Sequence, residues 1–403
     1  MFNLEDFIAC NITKRTESIF ARDITANKKK LAEVIARKRI LVIGGAGSIG
    51  SSFIKACLPF KPQSLVVVDI NENGLAELSR DLRSTYGIHV PDDYITYPIN
   101  YADSVFKKMF NNRNGFDIVA NFSAHKHVRS EKDIYSVEAL IQNNLLNAKK
   151  LLDLLKSFPP ERFFCVSTDK AANPVNIMGA SKRIMEDMIF SYAPYFPVNT
   201  ARFANVAFSN GSLPAGFLDR IHKMQPISAP NDVKRYFVSP QESGQICMLA
   251  CMLGKSKEIF FPKLEKTTMM TFSAIATKLL EVNGYTVLEC SSDAEAIEKS
   301  KLLKHGSKEY PVHYSGSDTT GEKAYEEFYT DTEIVDMDQF ISLGVIKDSQ
   351  SQQPKEKLDA LFDKLQTVFA KPDTEKAEVV QILKSYLPSF THEERNKSLD
   401  AKM

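Results

Sequence analysis

Between residues 39 and 203, short runs rich in β-branched and aromatic residues alternate with longer stretches of helical period, and few folds accept that rhythm. The runs are Arg39–Ile43, Ser64–Asp69, Tyr94–Ile99, Phe116–Asn121, Arg162–Ser167 and Pro197–Phe203. Helical patterns separate them at Ser48–Leu58, Glu72–Tyr86, Ala102–Asn111, Ser136–Phe158 and Met178–Tyr192. Short strands joined by helices of this length make right-handed strand–helix–strand units, and their repetition gives a parallel sheet covered on both faces. The chain is therefore read as α/β, with a doubly wound parallel sheet at residues 37–205. A helix pattern at Gln241–Leu253 and a strand at Glu258–Phe261 bring 239–262 back to that sheet. Residues 206–345 form a smaller C-terminal domain, 1–36 an N-terminal helical extension, and 346–403 a helical tail beginning with the linker SQSQQPKEK. In the tail, Lys357–Phe369 and Thr374–Leu387 have amphipathic helix patterns suited to packing or oligomerisation.

Charge and cysteine content narrow the class. In 403 residues, 51 Lys+Arg nearly cancel 50 Asp+Glu, a field too weak for a general nucleic-acid binder. No uncharged apolar stretch reaches the ~18 residues of a membrane helix, and the N-terminus carries acids early, with no apolar run of signal-peptide length. The six cysteines include no Cys-x-x-Cys pair. Cys247 and Cys251, one helical turn apart in CMLACML, read as a packed face and not a metal site. The expectation is a reduced, soluble, cytoplasmic protein with no metal.

The first strand runs into GGAGSIG at 44–50. Here Gly44 makes the turn, Gly47 permits close backbone approach, and Gly50 lets helix and strand pack. Ser48 and Ile49 open a helix whose N-terminus suits a pyrophosphate. Asp69 ends the second strand, where a carboxylate accepts hydrogen bonds from ribose hydroxyls and repels a 2′-phosphate. The pattern predicts a Rossmann-type domain holding NAD in preference to NADP. A purely structural glycine turn with a capping Asp is the alternative.

The fifth strand leads into STDKAANPVNIMGASKR at 167–183, which sets Thr168, Asp169 and Lys170 at the carboxyl end of a parallel strand, where open α/β sheets bind ligands. Met178 and Lys182 follow on one helix face. With NFSAHKHV (121–128), RFANVAFSNGS (202–212), KRYFVSPQES (234–243) and TGEKAYEEF (320–328), the chain resembles an extended short-chain dehydrogenase/reductase. Within that group it is similar to the polysaccharide-biosynthesis branch of nucleotide-sugar 4,6-dehydratases, of the soluble UDP-N-acetylglucosamine type. The motifs span roughly 40–330. Some relatives carry N-terminal transmembrane helices, and no such stretch is present in this sequence.

The resemblance implies dehydration of a UDP-N-acetylhexosamine to a 4-keto-6-deoxy sugar for surface glycans. Oxidation at C-4 by NAD makes the C-5 proton acidic, water leaves from C-6, and the hydride returns to C-6. In this scheme Asp169 protonates the departing C-6 hydroxyl and Lys170 removes the C-5 proton. A site closed to water should raise the Asp169 carboxyl and lower the Lys170 amine. Most short-chain dehydrogenases have Tyr where this chain has Met178, and a thioether cannot take the O-4 proton. Family members with Met place the motif's Thr, here Thr168, against O-4, and are expected to retain configuration at C-5. Lys182 should bond the nicotinamide ribose. A water or the Asp169/Lys170 pair then accepts the O-4 proton.

The remaining assignments also follow the resemblance. Asn100 stands where an Asp commonly contacts adenine, and Ser123 borders the cofactor. Lys126 and His127 either position substrate or support structure, and His125 has no counterpart in relatives. Arg202, Asn205, Ser209, Ser212 and Arg235 lie in segments that wrap the nucleotide diphosphate. Glu322 is retained, although Thr319-Thr320 replace the usual Arg-Pro before Gly321, which leaves the nucleotide base open. Homodimerisation through the helices near 136–158 and 178–192 is usual in such proteins. The alternatives are a nucleotide-sugar 4-epimerase, a dehydratase of a GDP-linked sugar, and a dinucleotide sensor without turnover.

Overall fold

β1 (Arg39–Ile43, RILVI) and β2 (Ser64–Val68, SLVVV) are apolar on both faces, as central strands of a covered sheet must be. The structure is a computed structural model and describes residues 2–127, 131–317, 323, 325–347 and 353–392. β3 (Asp93–Tyr97), β4 (Ile118–Asn121), β5 (Arg162–Val166) and β6 (Val198–Ala201) complete the expected set. Their order is β3-β2-β1-β4-β5-β6, all parallel. Strand order reverses between β1 and β4, which opens a crevice at the carboxyl ends of those two strands. Ile259–Pro262 adds beside β6 in parallel, bringing that segment back to the sheet.

Two further strands, Leu343–Ile346 and Val335–Asp336, extend the same sheet antiparallel, to a total of nine strands among the described residues. Residues 335–346 therefore belong to the large sheet and not, as expected, to the smaller domain. The cause is local. The run LGVI is buried throughout, and a Cβ on Gly344 would fall 2.2 Å from Phe261 Cζ, so glycine makes room for the ring across the ladder. The smaller unit is built around a three-stranded parallel sheet of Thr286–Cys290, Glu309–Ser315 and Ile227–Pro230, with its own apolar core.

The N-terminal segment is helical but is not a separate unit. Phe7, Ile8 and Ile12 pack into the core of the smaller sheet, whereas Phe20, Leu31 and Ile35 join the large core. Between them the Arg15 guanidinium donates to both oxygens of Glu242, at 2.9 and 2.8 Å. Glu242 itself closes the capping box at the start of the Pro240–Leu253 helix, on which Cys247 and Cys251 are fully buried.

The tail also docks. Leu358, Leu361, Phe362, Leu365, Leu383 and Phe390, from the helices Lys355–Phe369 and Lys376–Tyr386 and the turn beyond, are buried in the large core. The tail covers the helices expected to meet a second copy of the chain. Lys149 lies over the Phe362 ring, Tyr386 OH donates to Asp187 Oδ2 (3.1 Å), and every residue from Ile177 to Phe190 is buried. The chain's own amphipathic helices thus pack against that face.

Leu365, fully buried in this seam, tests the docking. Leu365→Ala is expected to lower stability by about 2–5 kcal/mol, read from the urea midpoint. A change under about 0.5 kcal/mol, the size of an ordinary surface substitution, would mark the tail as detached.

Candidate active site

Three glycines of the 44–50 loop are fixed by contact. Gly44 takes φ +74°, and a Cβ there would lie 2.6 Å from Ser123 N. One on Gly45 would lie 2.3 Å from Val67 Cγ1, and one on Gly50 2.4 Å from Gly44 O. The loop is thus pressed onto β2 and β4 at the crevice. Gly47 differs, since its nearest neighbour would be Gly44 O at 3.4 Å, and it precedes the Ser48–Cys57 helix without a side-chain cap. The free N–H groups of that first turn can receive an anion. Asp69 Oδ2 accepts from Ala46 N–H and Oδ1 from Asn71 N–H, both at 3.0 Å, so the carboxylate holds the loop. Ser48 Oγ accepts from Asn210 N–H (2.9 Å), which ties the loop to the 206–212 segment. Asn100 Oδ1 is used within its own turn by Ala102 N–H (2.9 Å), and Ser123 Oγ donates to Asn143 Oδ1 (3.3 Å).

A cavity of about 280 Å³ adjoins this loop. Ile49, Lys126, His127, Thr168, Lys170, Met178, Lys182, Asn205 and Ser212 all line it, with Phe122, Phe203, Phe237 and Phe272 supplying an apolar wall. Ser212 has a structural task there as well, because its Oγ caps the Leu213–His222 helix. Asp169, Asn100, Ser123 and Arg235 do not line the cavity. Glu322 and the neighbouring Thr319 and Gly321 lie outside the described residues.

The catalytic turn follows β5 directly. Thr168 caps a short turn at Asp169–Ala171. Asp169 is buried, and its Oδ1 accepts from Thr168 Oγ1 (2.8 Å), Lys170 N–H (2.9 Å) and Lys170 Nζ (3.0 Å). The Ile177–Ser191 helix comes close because residue 179 is glycine; a Cβ there would fall 2.7 Å from Lys170 O. This approach puts Met178 and Lys182 on the wall that Lys170 also lines. Lys182 Nζ donates to Val166 O (3.1 Å) and lies 3.7 Å from Met185 Sδ; burial holds it below lysine's ordinary value.

Two expectations change. Burial alone would depress Lys170, but Asp169 and then Glu326 outweigh it, and the ammonium is held above its ordinary value instead of below it. Arg202 is no phosphate fork. It has no solvent exposure, and its guanidinium is taken by Glu186 (2.9 and 2.6 Å), Glu333 (2.9 and 2.8 Å) and Phe328 O. Arg235 is buried too and donates to the carbonyls of Lys234 and Lys323, at 2.9 Å each.

Sequence reasoning missed four polar residues that shape the site. Glu131 caps the catalytic helix, accepting from Ile177 N–H (3.0 Å) and Met178 N–H (2.8 Å). Asn144 sits in a π-helical turn, Gln142–Asn147, that interrupts the expected long helix. It bonds both backbone groups of His125 and the Ser181 hydroxyl, and so holds the loop bearing Lys126. Such π turns are frequent at functional sites. Glu186 accepts from Ser167 Oγ (2.6 Å) at the end of β5. Glu326 stands beside Lys170, with Oε1 3.9 Å from Nζ. Only Glu186 could have been found from spacing, one turn beyond Lys182 on the same helix.

A Rossmann-like parallel sheet carries a buried acid–amine pair at the carboxyl end of β5, where open α/β sheets bind ligands. The chain belongs to the polysaccharide biosynthesis protein family, whose model matches residues 40–347. It is 26% identical over 324 residues to the probable polysaccharide biosynthesis protein EpsC of Bacillus subtilis, covering 80% of this chain and 50% of that one. The chain thus spans about half the length of this relative. Among solved structures, Pen from Bacillus thuringiensis aligns with TM-score 0.63 at 20% identity, over 82% of this chain and 98% of that one. DesIV of Streptomyces venezuelae, a dTDP-glucose 4,6-dehydratase solved with NAD and DAU bound, aligns with TM-score 0.54 at 18% identity, over 72% and 88%. These two likenesses establish the shared fold. No helix among the described residues is long and apolar enough to cross a membrane.

The Glu186 carboxyl is penalised by burial, yet Arg202, Arg183 and Ser167 together hold it below the usual range. A depressed folded-state carboxyl contributes stability above its unfolded value and loses it as pH falls through the folded value. Glu186→Gln should therefore cost about 3–5 kcal/mol near neutrality, with the deficit shrinking on acidification below the ordinary glutamate range. Urea melts at several pH values measure this. A deficit independent of pH would contradict it.

Proposed function

We propose that the chain is an NAD-dependent 4,6-dehydratase of a nucleotide-activated N-acetylhexosamine, UDP-N-acetylglucosamine by preference, serving polysaccharide biosynthesis. The observation that carries the reading is the Thr168–Asp169–Lys170 turn, closed by Met178 and Lys182 and adjoining the Gly-rich loop. Family membership and the shared fold with a dehydratase support it.

The loop fits a dinucleotide. Gly44, Gly45 and Gly50 are closed against protein, while Gly47 and the bare helix start are open. The first turn of that helix would hold the pyrophosphate, Asp69 the adenosine ribose and Lys182 the nicotinamide ribose. When bound, NAD takes the C-4 hydride and returns it to C-6.

The chain's own residues handle protons. Thr168 Oγ1 bonds O-4, a task Met178 cannot perform because sulfur in a thioether carries no proton. Asp169 supplies the proton that leaves with the C-6 hydroxyl. Lys170 removes the C-5 proton and restores one on the same face, retaining configuration. The phenylalanine wall excludes water, which strengthens each of these polar contacts.

One observation favours a second reading. Lys170 held as an ammonium is a poor base at C-5, whereas a 4-epimerase needs only the chemistry at C-4. Incubation with NAD and UDP-N-acetylglucosamine in deuterated water separates the two by NMR. Dehydration gives a 6-methyl signal, a 4-keto or hydrated product and deuterium at C-5. Epimerisation leaves the hydroxymethyl group intact and would overturn the dehydratase reading.

Asp169→Asn and Lys170→Met are each expected to lower kcat about 10²–10⁴-fold, the usual worth of a general acid or base, in the same NMR assay. Asp69→Ala should weaken NADH binding about tenfold, the loss of roughly one charged hydrogen bond, and narrow its preference over NADPH. Fluorescence titration with both nucleotides checks this.

A further inference from the structure

The site contains a carboxyl group that the dehydration scheme leaves idle. Glu326 is 4% exposed, and it is brought to Lys170 by the segment that Arg235 holds through Lys323 O. Its Oε1 lies 3.9 Å from Lys170 Nζ. Its Oε2 is buried, accepts no hydrogen bond from the described residues, and stands 4.0 Å from Lys323 Nζ. A buried carboxylate oxygen without a donor is unfavourable, and each such atom in a folded protein calls for a reason.

The groups facing Glu326 are Lys170, Asp169, Arg235 and Lys323. Burial, aided by Asp169, holds its carboxyl above the ordinary glutamate value against the three cations. Lys170 meanwhile is kept charged by these same two carboxyl groups. An ammonium that must become an amine therefore lies beside a carboxyl disposed to take up a proton.

Building on the dehydratase reading, we propose that Glu326 is the third member of the proton-transfer group, a positioning residue that takes the Lys170 proton and leaves the amine free to act at C-5. The Nζ–H bond breaks, the Oε1–H bond forms, and no electrons enter or leave. The result is an amine at Lys170 and a carboxylic acid at Glu326. An ion pair has become two neutral groups, which a cavity emptied of water favours. Transfer from Lys170 to Asp169 alone also yields an acid and an amine, but it strands Glu326 as a buried anion. Passing the proton to Glu326 avoids that state, and Asp169 keeps the hydrogen bonds from Thr168 Oγ1 and Lys170 N–H.

The test compares wild type, Glu326→Gln and Glu326→Asp as full-length, NAD-loaded protein. Infrared difference spectra of wild type against Glu326→Gln should contain a protonated-carboxyl band near neutral pH. With UDP-N-acetylglucosamine, Glu326→Gln should lower kcat at least about tenfold and leave KM within about twofold, since Glu326 does not touch the sugar. That deficit should narrow as pH rises, because solvent hydroxide then removes the Lys170 proton. Glu326→Asp should recover part of the rate. Single-turnover reduction of bound NAD, which reports the C-4 step, should be unchanged.

A wild-type kcat and pH profile in Glu326→Gln would overturn the proposal. So would a loss equal at every pH that extends to NAD reduction, which marks a scaffold residue. Absence of the infrared band in wild type also overturns it. A wild-type enzyme that only epimerises defeats the dehydratase reading instead, and the infrared band then decides alone whether Glu326 holds a proton beside Lys170.

Discussion

Arg202 holds together the parts of the chain on which the site depends. A guanidinium sealed from solvent must be matched by anions or it will not stay folded, and here two carboxylates and a carbonyl meet it. Glu186 belongs to the catalytic helix, Ser167 beyond it to the end of β5, Arg202 itself to the end of β6, and Glu333 and Phe328 to the segment that carries Glu326. One charge cluster therefore fixes the separation of the catalytic turn, the helix behind it and the buried carboxyl beside Lys170. Arg183, bridging Glu186 and Asp187, extends the cluster along the helix toward the tail.

On that frame the two halves of the site are specified by different physics. Steric exclusion shapes the Gly-rich loop, where glycines are demanded by protein atoms at 2.3–2.6 Å from a would-be Cβ. Electrostatics shapes the other half, where Lys170 lies between the buried carboxyl groups of Asp169 and Glu326, which together hold it as an ammonium. Asn144 and Glu131 join the halves, the first by holding the His125 loop and the second by anchoring the start of the helix that carries Met178.

The sheet from β1 to β6 was legible because parallel strands are written as nearly uninterrupted β-branched runs, and these runs depend on nothing distant. The antiparallel edge was not, since Val335–Asp336 is two residues long and LGVI has no period to read. The glycine loop, Asp69 and the Thr168–Lys182 segment were visible for the same local reason. Arg202 was misjudged because an arginine does not announce which anion it will meet, and Glu186 with Glu333 reach it only through the fold. The direction of Lys170 failed likewise: burial suggested an amine, whereas the fold turns the adjacent Asp169 carboxylate onto Nζ and brings Glu326 in from a separate segment.

The tail helices close the back of the catalytic helix from within the same polypeptide. Leu358, Leu361, Phe362 and Leu365 fill that side with apolar side chains of their own. On that side the seat of the Ile177–Ser191 helix is set by residues far along the sequence, so a lesion in the tail is felt at the site through packing alone.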